Sequence, residues 1–384
     1  MRMLFTCRPA VGHFLPLVPL AEAARQRGHI VAFATNDPVI DQARTAGFEA
    51  FPAGLDAAAS QARCVERGVV FRDLPPREMR RYAFGQWFSA VEAPPRLADL
   101  ERICGAFQPN VLVHGVAELA APLAATKAGI PWVTVGFGLL LPTAIATLAG
   151  EGVAPLWRAH GLPAPKFAGL YQHLYVDPFP RALQFPEIVD LPAVVGIRPA
   201  GTPATLAPRH PGSRRRTYVS FGTLWNNGPA AVALMRAAIA GSAGASEAVV
   251  VTLGRGTDPA VLGSLPANVE ILGYVPQHEL LPNCACAVSH AGSGTLLGAL
   301  GWSVPSLLLP QFADQFDNAE QARRAGVALV LRDAEVTQEN IACAIHRLLE
   351  EPAFAACAAS AGAELSAMPD ATAVLDQIEA LAAR

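Results

Sequence analysis

The segment Cys286-Ala-Val-Ser-His290-Ala-Gly292-Ser293-Gly294-Thr295-Leu-Leu-Gly298 sets one imidazole and two hydroxyls among small residues. An apolar run, 285–289, reads as a short strand. A small-residue turn follows, 291–294, and then an apolar Ala/Gly/Leu segment, 295–301, that reads as a helix. Strand, glycine turn and helix in succession leave unpaired N–H groups at the helix start. That end carries partial positive charge and suits an anion, phosphate above all. Glycines admit close approach of the ligand, while Ser293, Thr295 and His290 add donors. A tight turn with no ligand would show the same pattern, so the next segment matters. Val304-Pro-Ser-Leu-Leu-Leu-Pro310 reads as another buried strand, and it ends in Gln311-Phe-Ala-Asp314-Gln315. Ligands of open α/β sheets bind beyond the carboxyl ends of the strands. Asp314 and Gln315 there offer acceptors and donors for hydroxyl groups. A phosphate turn followed by a hydroxyl-binding turn points to a phosphorylated sugar.

The elements that must position these residues form two α/β rhythms. The first half shows buried strands at 3–7, 30–35, 47–51, 109–114 and 131–135, with helices near 16–27 and 119–128. The second shows strands at 217–221, 248–252, 269–272, 285–289, 306–309 and 328–331, then helices near 338–349 and 353–367. Such alternation calls for parallel sheets with crossover helices. Residues 201–216 are rich in Pro, Gly, Ser and Thr and read as a linker. Expected boundaries are 1–200, 217–368 and a final helix, 369–384. Two stretches break the rhythm. Residues 55–105 mix arginines with Phe71, Phe84, Trp87 and Phe88; a long excursion between strands is often functional, and packing of its own aromatics explains any one residue equally well. Residues 136–180 hold Phe137, Trp157 and Tyr171 among prolines and glycines, as the wall of an apolar binding cleft would.

The segment from about Gly273 to Ala328 resembles the nucleotide-sugar site of the family-one glycosyltransferases with the GT-B fold. His290-Ala-Gly292-Ser-Gly-Thr295, Pro276-Gln277 and Asp314-Gln315 carry the likeness, supported by Gly12-His13-Phe-Leu-Pro16-Leu near the start. The bacterial subgroup that decorates macrolides, enediynes and aromatic polyketides is the most similar. The resemblance implies two Rossmann-like domains facing each other across a cleft, with the last helix crossing back to the first domain. It also implies an inverting transfer of a deoxysugar from a TDP-sugar to a hydroxyl of an apolar natural product. The TDP-sugar is then a co-substrate, and no cofactor or metal is expected. The alternatives are a UDP-hexose donor, a C-glycosidic product, or a non-catalytic helper protein.

The same resemblance assigns roles. A lone histidine in a βα turn is more often structural, but the Gly-His-x-x-Pro-Leu setting makes His13 the general base. Family members orient that base with a carboxylate after the strand ending here at His114. The matching position is Gly115, a departure, and Glu118 is the candidate at a shifted position. The diphosphate would be held by Gly222, Thr223, His290, Gly292, Ser293, Gly294 and Thr295. Tyr274, Val275 and Gln277 would meet the base, and Asp314 and Gln315 the sugar. Phe84, Trp87, Phe137, Trp157 and Tyr171 are the candidate acceptor contacts. Relatives with ribonucleotide donors carry a ribose-binding Glu where this chain has Gly298, so TDP should be favoured over UDP.

Bulk properties agree with such an enzyme. The chain has 384 residues, 52% hydrophobic and 16% charged, too long for one ordinary core. A net charge of −3 excludes a basic surface for nucleic acid or anionic membrane. The basic run Arg214-Arg215-Arg216 reads as a solvated loop. Seven scattered cysteines suit reduced thiols in a cytoplasmic protein, and no apolar run reaches membrane-spanning length. A homodimer is compatible with these features.

Overall fold

The computed structural model describes residues 1–68, 74–205, 216–222, 228–254 and 257–384. Phe71, Thr223, Arg214 and Arg215, and most of the expected linker, lie outside the described residues. The chain divides into two compact units. One comprises Met1–Pro178, Phe185–Ile197 and Pro369–Arg384; the other comprises Phe179–Gln184 and Arg198–Met368.

The first unit is built on seven parallel strands: β1 (Arg2–Thr6), β2 (Ile30–Thr35), β3 (Glu49–Pro52), β4 (Val111–Gly115), β5 (Trp132–Val135), β6 (Leu174–Asp177) and β7 (Val194–Gly196). Their order is β3-β2-β1-β4-β5-β6-β7. Alternation along each strand fills two cores. Met3, Phe5, Val31, Phe33, Val111 and Val113 point to one face, and Leu4, Ala32, Ala34 and Leu112 to the other. The first of these cores is closed by the helix Val18–Gln26 and by the final helix, Ala371–Ala382, whose Val374, Leu375 and Ile378 are fully buried. Asp370 caps that helix through the Ala373 N–H, and Glu379 meets His29 at 2.6 Å.

The second unit holds six parallel strands: β8 (Arg216–Ser220), β9 (Ala248–Thr252), β10 (Val269–Leu272), β11 (Cys286–Ser289), β12 (Ser306–Leu308) and β13 (Ala328–Val330). They run in the order β10-β9-β8-β11-β12-β13. Strand order reverses beside β1 and β4 in one unit and beside β8 and β11 in the other. Those switch points are where ligands bind in doubly wound sheets.

Three expectations need correction. β6 and β7 fall in stretches the sequence does not mark as strands, because they lie in or beyond the aromatic, Pro/Gly-punctuated stretch 136–180, where the α/β rhythm is broken. Residues 179–184, expected in the first domain, belong to the second unit, where Glu364 accepts the Arg181 and Ala182 N–H groups. Residues 201–202, expected in the linker, are seated on the second unit: Trp302 donates to the Gly201 carbonyl at 3.1 Å, and Thr202 lies against Gly301. The excursion after β3 is helical: Ala57–Glu66, Met79–Tyr82, a π-helical stretch Ala83–Glu92, and Ala93–Phe107.

Candidate active site

In the first unit the site begins where β1 ends. The chain turns through Arg8 and Ala10 into a short helix, Val11–Phe14, that carries His13. The Arg8 carbonyl accepts the Ala10 N–H and the Ala10 carbonyl accepts the His13 N–H, at 2.8 and 2.9 Å. The imidazole lies 4.6 Å from the Phe137 ring, and its Nδ1 is buried with no hydrogen-bond partner among the described residues. Burial pushes the His13 pKa down to about 3, Arg8 adds to that shift, and Glu92 opposes it. The ring is therefore neutral at ordinary pH.

Gly115 adjoins this turn: a Cβ there would lie 3.7 Å from the His13 carbonyl oxygen. Glu118, expected as the orienting carboxylate, is bound to its own loop. Its N–H bonds back to the Gly115 carbonyl, which turns the side chain inward, and Oε1 accepts the Ala120 N–H at 2.8 Å. Among the described residues no hydrogen bond links Glu118 to His13. Burial holds the Glu118 pKa above its ordinary value. His114 is structural: Nδ1 faces the Glu118 carbonyl and Nε2 the Thr134 hydroxyl, each at 2.9 Å.

Two residues that the motifs do not reveal stand behind His13. Arg8 reaches Glu92 with both arms of its guanidinium, Nε at 2.5 Å and Nη2 at 2.8 Å, and both side chains are about nine-tenths buried. Their sequence signal is a charge inside an apolar run, Trp87-Phe-Ser-Ala-Val-Glu92-Ala. Burial opposes ionisation of Glu92, but Arg8 and the Ser60 hydroxyl outweigh it and lower its pKa.

Of the expected acceptor contacts, Phe137 lies against His13. Phe84, Trp157 and Tyr171 are packed in the core of the unit, 3%, 3% and 7% exposed, and offer no face to a ligand. Trp87 donates its indole N–H to Ser60 at 2.7 Å and stacks on Arg8. An open cavity of about 510 Å3 lies nearby, lined by Tyr82, Gly85, Gln86, Leu148 and Glu151 among others, and by none of the five aromatics expected from sequence.

In the second unit β11 runs into the turn His290–Gly292 and the helix Ser293–Gly301. His290 is clasped by two glycines. A Cβ on Gly222 would fall 2.8 Å from its Cε1, and one on Gly292 2.4 Å from its Nε2. Burial lowers the His290 pKa to about 4, with Asp314 opposing. Thr295 turns its N–H back to the Gly292 carbonyl, and its side chain is buried. The N–H groups of Ser293 and Gly294 meet no acceptor among the described residues and form the donor end of the helix. Ser293 donates to Asp314 at 3.2 Å, and Asn318, the end of the same polar cluster and given no role from sequence, donates to Ala291, Ser293 and Asp314 at 2.9–3.2 Å. That bridge holds Ala291 in its left-handed conformation, φ 64°. Gln315 is 3% exposed and its Oε1 accepts from Gln311 and Phe312, so its carbonyl shapes the turn rather than facing outward. Gln277 donates to the Gly294 carbonyl at 2.8 Å, across the face of Gly298. Tyr274 is exposed and Val275 half-buried beside it. Among the described residues no group of three His, Cys, Asp or Glu is arranged to hold a metal, and no helix is long and apolar enough to cross a membrane.

Known proteins resemble this chain in sequence and fold. Residues 237–381 match the family model "Erythromycin biosynthesis protein CIII-like, C-terminal domain". The chain is 32% identical over 339 residues to the L-demethylnoviosyl transferase of Streptomyces niveus, covering 86% of this chain and 85% of that protein. Among solved structures it is similar to the glycosyltransferase VinC in complex with DTDP, with TM-score 0.79, 25% identity and full coverage of both chains. The spinosyn rhamnosyltransferase SpnG, complexed with spinosyn aglycone, matches at TM-score 0.80 and 26% identity over 99% of this chain and all of that one. With two parallel Rossmann-like sheets and this likeness from end to end, the chain belongs to the natural-product glycosyltransferases of the GT-B fold.

Proposed function

We propose that this chain is an inverting glycosyltransferase that moves a deoxysugar from a TDP-sugar to a hydroxyl of an apolar natural product, with His13 as general base. The observation that carries the reading is the place of the His13 imidazole, in the turn after β1 and against Phe137, with Nδ1 unpartnered among the described residues. A neutral imidazole accepts the proton that the acceptor hydroxyl must lose as it attacks the anomeric carbon. The anomeric carbon develops oxocarbenium character as the nucleoside diphosphate departs. The donor end of the helix Ser293–Gly301 and the clasped His290 would offset charge on that leaving group. Asp314 would bind the sugar hydroxyls. The binding of DTDP by VinC and of an aglycone by SpnG supports both substrate classes.

The nucleoside follows from Gly298. A Cβ there would fall 2.2 Å from the Gln277 amide nitrogen, so the Gln277–Gly294 bridge requires the glycine. No carboxylate at this position rewards a ribose diol, and a charge-assisted bond of that kind is worth about 1.5–3 kcal/mol. The thymine methyl would gain about 0.8 kcal/mol against an apolar wall at Tyr274 and Val275. The test is aglycone-dependent release of nucleoside diphosphate from matched TDP- and UDP-sugars. Faster release from the TDP-sugar is expected. Release without an aglycone, or a preference for UDP, overturns the reading.

A further inference from the structure

The charged cluster behind His13 has no place in the sugar chemistry described so far, yet it is built with unusual completeness. Arg8 and Glu92 form a two-armed ion pair that is nearly sealed from water. Glu92 Oε1 also accepts the Ser60 hydroxyl at 2.6 Å, and Ser60 in turn accepts the Trp87 indole N–H at 2.7 Å. The Arg8 guanidinium lies over two rings, 3.7 Å from the centroid of Phe88 and 4.7 Å from that of Trp87. A second buried arginine, Arg96, donates to the Cys7 carbonyl at 3.0 Å. The turn between β1 and His13 is thus pinned at two consecutive residues by side chains from the helical segment 83–107.

A buried ion pair is weak evidence for stability, because desolvation offsets much of the attraction. It fixes geometry well, and a planar guanidinium fork fixes it better than an ammonium. Arg8 joins the two roles: its side chain holds Glu92, and its carbonyl opens the backbone relay Arg8–Ala10–His13. We propose that Arg8 and Glu92 are positioning residues for the transfer reaction: the buried pair sets the place of the His13 turn and holds a guanidinium beside the imidazole. This rests on His13 being the base.

The charged groups facing His13 are Arg8, from its own turn, and Glu92, from the π-helical stretch; Phe137 packs on the ring from the loop after β5. Arg96 and Glu118 face Cys7 in the same turn. Arg8 lowers the imidazole pKa more than Glu92 raises it. Removing both charges should therefore raise it, whereas removing Glu92 alone should not.

The experiment is histidine NMR on the full chain, with the His13 signal identified by its loss in His13→Gln, alongside steady-state kinetics. In the double variant Arg8→Met/Glu92→Gln no buried charge is left unpaired. Its His13 midpoint should rise, and kcat should fall about tenfold with donor KM unchanged. In Glu92→Gln the midpoint should stay low or fall further. A midpoint that does not move in the double variant overturns the proposal whatever the rate does. A raised midpoint with an unchanged rate overturns the positioning role of the pair, and His13→Ala then shows separately whether His13 is the base. Should the double variant fail to fold, Arg8→Lys decides, because it keeps the charge and loses the fork. A fall in kcat of about fivefold at constant donor KM supports the proposal, and an unchanged kcat overturns it.

Discussion

The two histidine turns sit at equivalent places, each at the switch point of a parallel sheet, but they are held by different means. His290 is gripped by close backbone approach and hydrogen-bonding groups of the neighbouring turns. Gly222 and Gly292 clasp the ring, and Ser293, Asp314 and Asn318 tie its turn to the one after β12. His13 is held from a distance, by Arg8 paired with Glu92 and by Arg96, through side chains far away in sequence. The glycines show the contrast directly. A Cβ on Gly12 would meet nothing within 4 Å, whereas one on Gly292 would drive into His290. Close backbone packing fixes the His290 turn, whereas a buried ion pair from the helical segment 83–107 fixes the His13 turn.

That contrast can be broken by mutation. The largest effect should come from His13→Ala, which loses about 10²–10⁴-fold in turnover while donor KM stays close to that of the parent. Steady-state kinetics at saturating donor measures it, and near-normal turnover would remove His13 from the mechanism. Next comes Gly292→Ala against Gly12→Ala. The first forces His290 aside and should cost about 1–3 kcal/mol of stability, as overpacking does, together with donor affinity. The second should unfold at the parent's temperature. Calorimetric melting separates them, and equal losses would erase the difference between the turns.

A further effect concerns acid and involves His114 as well as the two turns. His13, His114 and His290 have folded pKa values of about 3, 4 and 4, below the ordinary 6.5. The unfolded chain therefore binds protons that the folded chain excludes. Stability is fully present above pH 6.5 and is lost progressively as pH falls toward 4. Unfolding at pH 5 should take up close to three protons from these residues, measured by the pH dependence of the melting free energy. A flat profile between pH 7 and 5 would contradict the buried neutral state of all three.

The same contrast explains what the sequence disclosed. The His290 turn was legible because its donors, Gly292, Gly294 and Asp314 lie in two successive strand-to-helix turns, and glycine spacing reports close backbone approach. Asn318 was not, since a helical asparagine gives no sign that it faces back toward Ala291. In the first unit His13 was legible from its setting. Glu92 was not, because only the fold brings it to Arg8. The aromatics Phe84, Trp157 and Tyr171 misled for a related reason: composition cannot tell a ring that lines a cleft from one that fills a core. The strands followed from the α/β rhythm where strand and helix alternate, and β6 and β7 were missed because they lie in or beyond the Pro/Gly-punctuated aromatic stretch where that rhythm is broken.

The division of labour between the turns is the central claim, and calorimetric titration of TDP into His13→Ala and His290→Ala tests it most directly. The account predicts that His13→Ala binds TDP within about twofold of the parent, while His290→Ala binds about tenfold or more weakly. Weakened binding in His13→Ala together with unchanged binding in His290→Ala would contradict it.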